Sequence, residues 1–282
     1  MNKLLKRSIS GLLYVAIVSL TISAAWYLWF ALAIVISYIL VQEFSYLMHK
    51  AGLPVLKPAA SIASLFFLFG IFYFWFFAQL NLVFALFMAV PLVYLLLLSL
   101  TGRGGIRGFI NSVLVSFYVS LPLAMTGFLL LVISETPFSQ MGTDVFHPAY
   151  HPGLLLSVFI MIWVFDSFAY LLGSAFGKHK IAPGISPKKS WEGFLGGMVF
   201  LFPAVYLLHR FFGIMSMAEW LGAMVIVSVF GTLGDLFVSQ LKRMAGAKDS
   251  GVIMPGHGGL LDRFDSFLLI LPVFSLYIIL IA

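Results

Sequence analysis

The chain contains no cysteine, which excludes disulfides and thiolate metal sites. Charge is nearly as scarce. Asp, Glu, Lys and Arg make up 9% of the 282 residues, against about 25% in a typical soluble domain. Hydrophobic residues reach 62%, and the mean hydropathy is +1.09. A water-soluble core of this size cannot hide so much apolar surface, so the solvent around this chain is lipid. There is no separable soluble domain, and no internal repeat of the kind that marks inverted-repeat transporters. The net charge of +6 is no argument for a nucleic-acid partner, because in a membrane protein Lys and Arg encode orientation.

A helix needs roughly 20 apolar residues to cross the hydrocarbon core. Such runs predict an all-α polytopic integral membrane protein of about nine transmembrane helices, near 8–25, 26–48, 58–77, 80–100, 110–133, 152–172, 193–212, 220–241 and 266–282. Lys3, Lys6 and Arg7 before the first run resemble a signal peptide, with Ser23-Ala24-Ala25 as a faint cleavage site. A second apolar run follows almost at once, so the first is read as an uncleaved signal anchor. With the N-terminus in the cytoplasm, all 16 Lys and Arg except Arg210 fall on the cytoplasmic side. That partition follows the positive-inside rule. It predicts an integral membrane protein whose polar chemistry faces the cytoplasm.

The two halves differ in character. Residues 1–133 read as scaffold and subunit interface. Glu43 is their one acidic residue and reads as a snorkelling carboxylate near Lys50. Residues 134–282 read as the catalytic region, because five of the six aspartates lie between Asp166 and Asp265. Asp166 and Asp235 sit within apolar spans, where an ionised side chain costs at least ~2.5–3.5 kcal/mol unless it pairs, binds a metal or lines a wet cavity.

Two polar segments carry the signal. In the first, Asp166, Tyr170 and Gly173 share one helical face. Gly177-Lys178-His179-Lys180 follows, then a Pro-Gly turn and Ile185-Ser186-Pro187-Lys188-Lys189-Ser190-Trp191-Glu192-Gly193. Ser186 before Pro187 predicts a helix N-cap with proline at the first position, which would put Lys188 and Lys189 in the first turn. That arrangement would suit a phosphate, or the lysines would be topology signals beside anionic headgroups. His179 reads as a basic loop residue.

In the second segment, Asp235, Ser239 and Lys242 share a helical face. The chain continues through Arg243, Lys248, Asp249, Ser250 and Gly251 to Pro255-Gly256-His257-Gly258-Gly259, and Leu260-Leu261-Asp262-Arg263-Phe264-Asp265-Ser266 opens the last span. Carboxylates that converge without cysteine favour a hard ion such as Mg²⁺, and a glycine-rich turn lets backbone approach phosphate oxygens. The alternative reading is structural, with Asp235 bridged to Lys242 and Asp262 to Arg263.

Both segments, spanning roughly 166–266, closely resemble the signature of the phosphatidate cytidylyltransferase (CDP-diacylglycerol synthase) family. The resemblance implies transfer of CMP from CTP to phosphatidate within the membrane lipid, giving CDP-diacylglycerol and pyrophosphate. It also implies a Mg²⁺-dependent homodimer in which a monovalent cation such as K⁺ can share the metal site. By motif match the metal ligands are Asp235 and Asp262, with Asp249 and Asp265 as further candidates. Lys188, Lys189, Lys242, Arg243, Lys248 and Arg263 form the pool of phosphate ligands. Ser186, Ser190, Ser239, Gly256, Gly258 and Gly259 would contact substrate or metal, and His257 the departing pyrophosphate. Asp166 would be an outer ligand or would orient Lys188. Two other readings compete: a cytidylyltransferase acting on a different lipid phosphate, and a cation-coupled transporter using Asp166 and Asp235.

Overall fold

Inside a bilayer every backbone N–H and C=O must find a partner within the protein, and a helix provides this for any apolar sequence. The computed structural model describes residues 3–77, 80–102, 104–131, 150–254 and 258–281. Among them are nine helices: α1 (Lys3–Ala24), α2 (Trp26–Lys50), α3 (Lys57–Phe77), α4 (Leu82–Leu100), α5 (Gly105–Leu131), α6 (Pro152–Phe176), α7 (Trp191–Phe212), α8 (Met217–Met244) and α9 (Leu261–Ile281). Helices α2 to α9 are long and apolar enough to cross a membrane, while the apolar stretch Ser8–Ala24 of α1 is shorter. The chain is an all-α, polytopic integral membrane protein.

Each of the nine helices falls on one of the nine expected spans, and the differences at their ends follow a pattern. Helices α5 and α9 begin about five residues early, and α6 and α8 end a few residues late. All four overruns are on the side that carries the basic residues. Hydropathy marks where hydrocarbon ends, whereas backbone hydrogen bonding carries these helices on past it. Polar residues are lifted on rigid helix ends there.

Short polar residues set several helix starts. Asn81 Oδ1 accepts from the amides of Val83 and Phe84 at 3.1 and 3.2 Å, capping α4. Ser216 and Glu219 form a reciprocal capping box at the start of α8.

One expectation fails at the start of α7. Ser186–Ser190 is not the first turn of a helix but a strand, β2, paired antiparallel with β1 (Lys180–Ala182). The Pro183-Gly184 turn closes this hairpin. The cap is instead Ser190, whose Oγ accepts from Gly193 N at 3.2 Å, and Glu192 supplies the acidic residue of the first turn. Two lysines in that turn would have opposed the helix macrodipole, and the strand removes the conflict.

Glycines let the helices of the second half approach closely. A Cβ on Gly193 of α7 would stand 2.6 Å from the carbonyl oxygen of Ala169 in α6, and one on Gly234 of α8 would stand 2.5 Å from that of Asp265 in α9. The main apolar cluster draws on both halves of the chain. Trp29 of α2 is fully buried and donates from Nε1 to Thr126 Oγ1 of α5 at 2.7 Å. Phe159 of α6 stacks on Phe267 of α9 with ring centroids 4.6 Å apart.

Candidate active site

Four elements meet at the basic end of the bundle: the C-terminal part of α6, the hairpin with the start of α7, the C-terminal part of α8, and the start of α9. Between them lies a cavity of about 390 Å³, within the size range of small-ligand sites. Asp166, Asp235, Asp249, Asp262 and Asp265 line it together with Lys188, Lys189, Lys242 and Arg263. Asp166 lies ten residues before the end of α6, so the cavity descends roughly 15 Å from the helix end. A charged cavity at that depth meets the requirement that intramembrane charges face water or one another.

Two ion pairs organise the cavity, and they differ. Lys189 reaches in from β2 and places Nζ 2.7 Å from Asp235 Oδ2 and 3.2 Å from the carbonyl oxygen of Thr232, to which it donates. Ser239, one turn along α8, donates to Asp235 Oδ1 at 3.0 Å. The carboxylate of Asp235 is 35% exposed, so its partner can be exchanged. Asp262 is held far more tightly. Lys242 Nζ donates to its Oδ1 at 2.7 Å, while Ser250 N, Ser250 Oγ and Gly259 N reach its Oδ2 at 2.9, 3.0 and 3.1 Å. Its side chain is 8% exposed.

The pairings therefore differ from those of the structural reading of the sequence. Asp235 takes Lys189 rather than Lys242, and Asp262 takes Lys242. Lys242 lies 20 residues from Asp262 in sequence, and only the packing of α8 on α9 brings them together.

The remaining expected residues sort by position. Ser186, Ser190, Lys188, Arg263, Asp249 and Asp265 line the cavity, and the buried Asp265 accepts from Ser266 N at 2.8 Å. Asp166 is close enough to interact electrostatically with Asp235, Lys189 and Arg263. Gly258 has φ +92°, and a Cβ on it would stand 2.8 Å from Asp262 Oδ2. A side chain there would push on that carboxylate. Arg243 and Lys248 are exposed and do not line the cavity. Arg243 donates from Nε to Ile185 O at 3.1 Å, tying the hairpin turn to α8. Gly256 and His257 lie outside the described residues. His179 pairs with Glu192 at 2.6 Å at the mouth of a separate surface depression.

Sequence reasoning missed one residue and misplaced it. Glu43 does not snorkel toward Lys50. It is 6% exposed, and its carboxylate accepts from Ser250 Oγ at 3.0 Å, Leu260 N at 3.0 Å and Leu261 N at 2.8 Å. The available signal was its isolation: a lone acid in 133 otherwise acid-free residues needs a partner. The partner is backbone more than 200 positions away, which no local pattern reveals.

The carboxylate set is chemically suited to a hard divalent cation. Among the described residues no three His, Asp or Glu converge into a ready cage. Mg²⁺ does not require one, since it is commonly held by one or two carboxylates plus substrate phosphates and water. The donor set fits an ion that arrives with a polyanion.

The profile of the "Cytidylyltransferase family" matches residues 5–281. A phosphatidate cytidylyltransferase of Staphylococcus aureus (strain COL) is 44% identical over 151 residues, covering 52% of this chain and 58% of that protein. Phosphatidate cytidylyltransferases of Staphylococcus haemolyticus (strain JCSC1435) and Staphylococcus saprophyticus are 42% identical over 153 residues and 46% over 129 residues. The chain matches about half the length of these curated relatives, 58%, 58% and 48% respectively.

Proposed function

The chain belongs to the cytidylyltransferase family, and from that premise we propose that it transfers CMP from CTP to phosphatidate, giving CDP-diacylglycerol and pyrophosphate. One observation carries the reading: a single cavity at the basic end of the bundle is lined by five carboxylates and four cationic side chains. That composition suits a polyanion accompanied by a metal ion.

The nucleophile is a phosphate oxygen of the lipid. A phosphomonoester has a second pKa near ~6, so much of it is dianionic at neutral pH and no strong general base is required. Its oxygen forms a bond to the α-phosphorus of CTP, and the bond to the bridging oxygen of the pyrophosphate breaks. The obstacle is repulsion between two anions, so catalysis rests on positioning and neutralisation. Asp235 and Asp262 would hold Mg²⁺, which supplies charge neutralisation to the triphosphate when bound. Lys189 and Lys242 now neutralise those same carboxylates. With a cation held there, both ammonium groups would be free to neutralise the phosphates. Lys188 and Arg263 line the same cavity and complete the cationic wall. The lipid tails enter sideways from the leaflet, which explains chemistry at a membrane edge. By the positive-inside rule that edge is cytoplasmic, and a homodimer in the bacterial inner membrane belongs to the same reading.

The test is direct. Purified protein in detergent is supplied with phosphatidate and labelled CTP, with and without Mg²⁺ and K⁺. Metal-dependent labelled CDP-diacylglycerol is expected. No product from monodisperse protein under any of these conditions overturns the substrate assignment.

A further inference from the structure

Glu43 is the sole acid of the first five helices, yet its carboxylate is spent on residues 250–261. It accepts the amides of Leu260 and Leu261, the start of α9. Those are among the donors a helix leaves unsatisfied at its N-terminus, so Glu43 caps α9 from another helix, where the dipole also favours a negative charge. The loop is shaped around it. A Cβ on Gly251 would overlap Glu43 Oε1, and one on Gly259 would overlap Glu43 Oε2 and Ser250 Oγ. Ser250 Oγ stands 3.0 Å from both Glu43 Oε2 and Asp262 Oδ2. That hydroxyl carries one proton, which the two carboxylates share, and so joins the buried clamp to the carboxylate in the cavity.

We propose that Glu43 is a positioning residue, pinning Ser250, Gly251 and Gly259 and the start of α9 so that Asp262 is held ready for the metal–nucleotide substrate. This rests on Asp262 being a ligand of that metal. Glu43 does not line the cavity and acts through Ser250 and the α9 amides.

Glu43→Gln keeps the shape but turns an NH₂ toward donors that need an acceptor. Two readouts test the proposal. Hydrogen–deuterium exchange without substrate is expected to rise at least tenfold in peptides covering 248–262 and to stay unchanged in α3, α4 and α7. Equilibrium binding of labelled CTP in Mg²⁺ is expected to weaken at least tenfold, while the KM for phosphatidate moves less than twofold. Glu43→Ala should exceed Glu43→Gln in both. If Glu43→Gln does not yield folded protein, Gly251→Ala presses on the same carboxylate from the loop side, with Glu43 atoms as its nearest contacts, and should give the same local signature.

Unchanged exchange in 248–262 overturns the clamp. A rise spread evenly over the bundle makes Glu43 a general stability residue and also overturns it. A loosened loop with normal CTP binding removes the link to Asp262. Exchange and nucleotide binding do not depend on which lipid is the acceptor. A wild-type protein inactive on phosphatidate would therefore sink the substrate assignment while leaving the clamp to be decided.

Discussion

Helices α1 to α5 and helices α6 to α9 are both buried in lipid, but they handle polar groups in opposite ways. In the first set several neutral polar side chains pair with one another between helices. Ser37 and Ser64 share a hydrogen bond of 2.9 Å, Trp29 donates to Thr126, and Gln42 donates to Ser61 at 2.7 Å. None of these three pairs lines the charged cavity. In the second set five carboxylates and four cationic side chains gather at one end and border open volume. Neutral pairs there would hold the helices as well and more cheaply, since removing charges from water is expensive. Ionic groups persist in that place because something other than stability selects them. Glu43 is the exception that joins the two sets.

The largest expected effect sharpens this division at Asp262. In Asp262→Asn the amide oxygen can keep the Ser250 and Gly259 amides and the shared Ser250 hydroxyl at the Oδ2 position, while its NH₂ faces the ammonium of Lys242. Turnover is expected to fall by about 10³ or more, a loss typical of removing a preorganised electrostatic group. The folded protein should remain recoverable. Adding Lys242→Met removes the opposing donor and should restore the thermal midpoint without restoring turnover, because deleting both partners of a buried pair is often nearly neutral. Activity within a few-fold of wild type in Asp262→Asn, with CTP and Mg²⁺ saturating, would remove Asp262 from the machinery.

The next comparison is between the two ion pairs. Lys242→Ala leaves a carboxylate only 8% exposed without its charge partner, and such losses cost about 3–5 kcal/mol. Lys189→Ala leaves Asp235, whose side chain is 35% exposed, so screening should limit the cost to under about 1 kcal/mol. Both variants should lose turnover. Denaturation in mixed micelles reads the difference, and equal destabilisation would mean that the two carboxylates are not held as differently as their surroundings imply.

Much of this organisation is legible in the amino-acid sequence. Lipid selects long apolar runs, so nine helices can be counted. The polar segments stand out because charges are rare in hydrocarbon. What escapes is whatever depends on tertiary hydrogen bonds. Ser186-Pro187 satisfies the local rule for a helix start, but hairpin pairing and the Ser190 cap outweigh it. Lys189 and Asp235 are far apart in the chain, and Lys242 has a local candidate partner in Asp235 that the α8–α9 packing overrides. Helix periodicity puts Asp235, Ser239 and Lys242 on one face correctly, yet it cannot say which carboxylate the lysine will choose. Glu43 looks bland because its partners are backbone amides, which carry no sequence signature.

The smallest expected effect tests the quiet side of the comparison. Ser37→Ala deletes one partner of the buried Ser37–Ser64 pair. In water an orphaned buried hydroxyl can cost ~1–3 kcal/mol, but hydrogen bonds between membrane helices average only ~0.6 kcal/mol, because the unfolded state in lipid finds other partners. The freed Ser64 can also turn to a carbonyl of its own helix, as Ser61 does toward Lys57 O at 3.1 Å. A stability loss below ~1 kcal/mol is therefore expected, with turnover within twofold of wild type. A tenfold loss of turnover with stability intact would show that the α2–α3 contact transmits to the cavity. In that case α2 would be a lever acting through Glu43 rather than a fixed post, and the division between scaffold and chemistry would have to be redrawn along that helix.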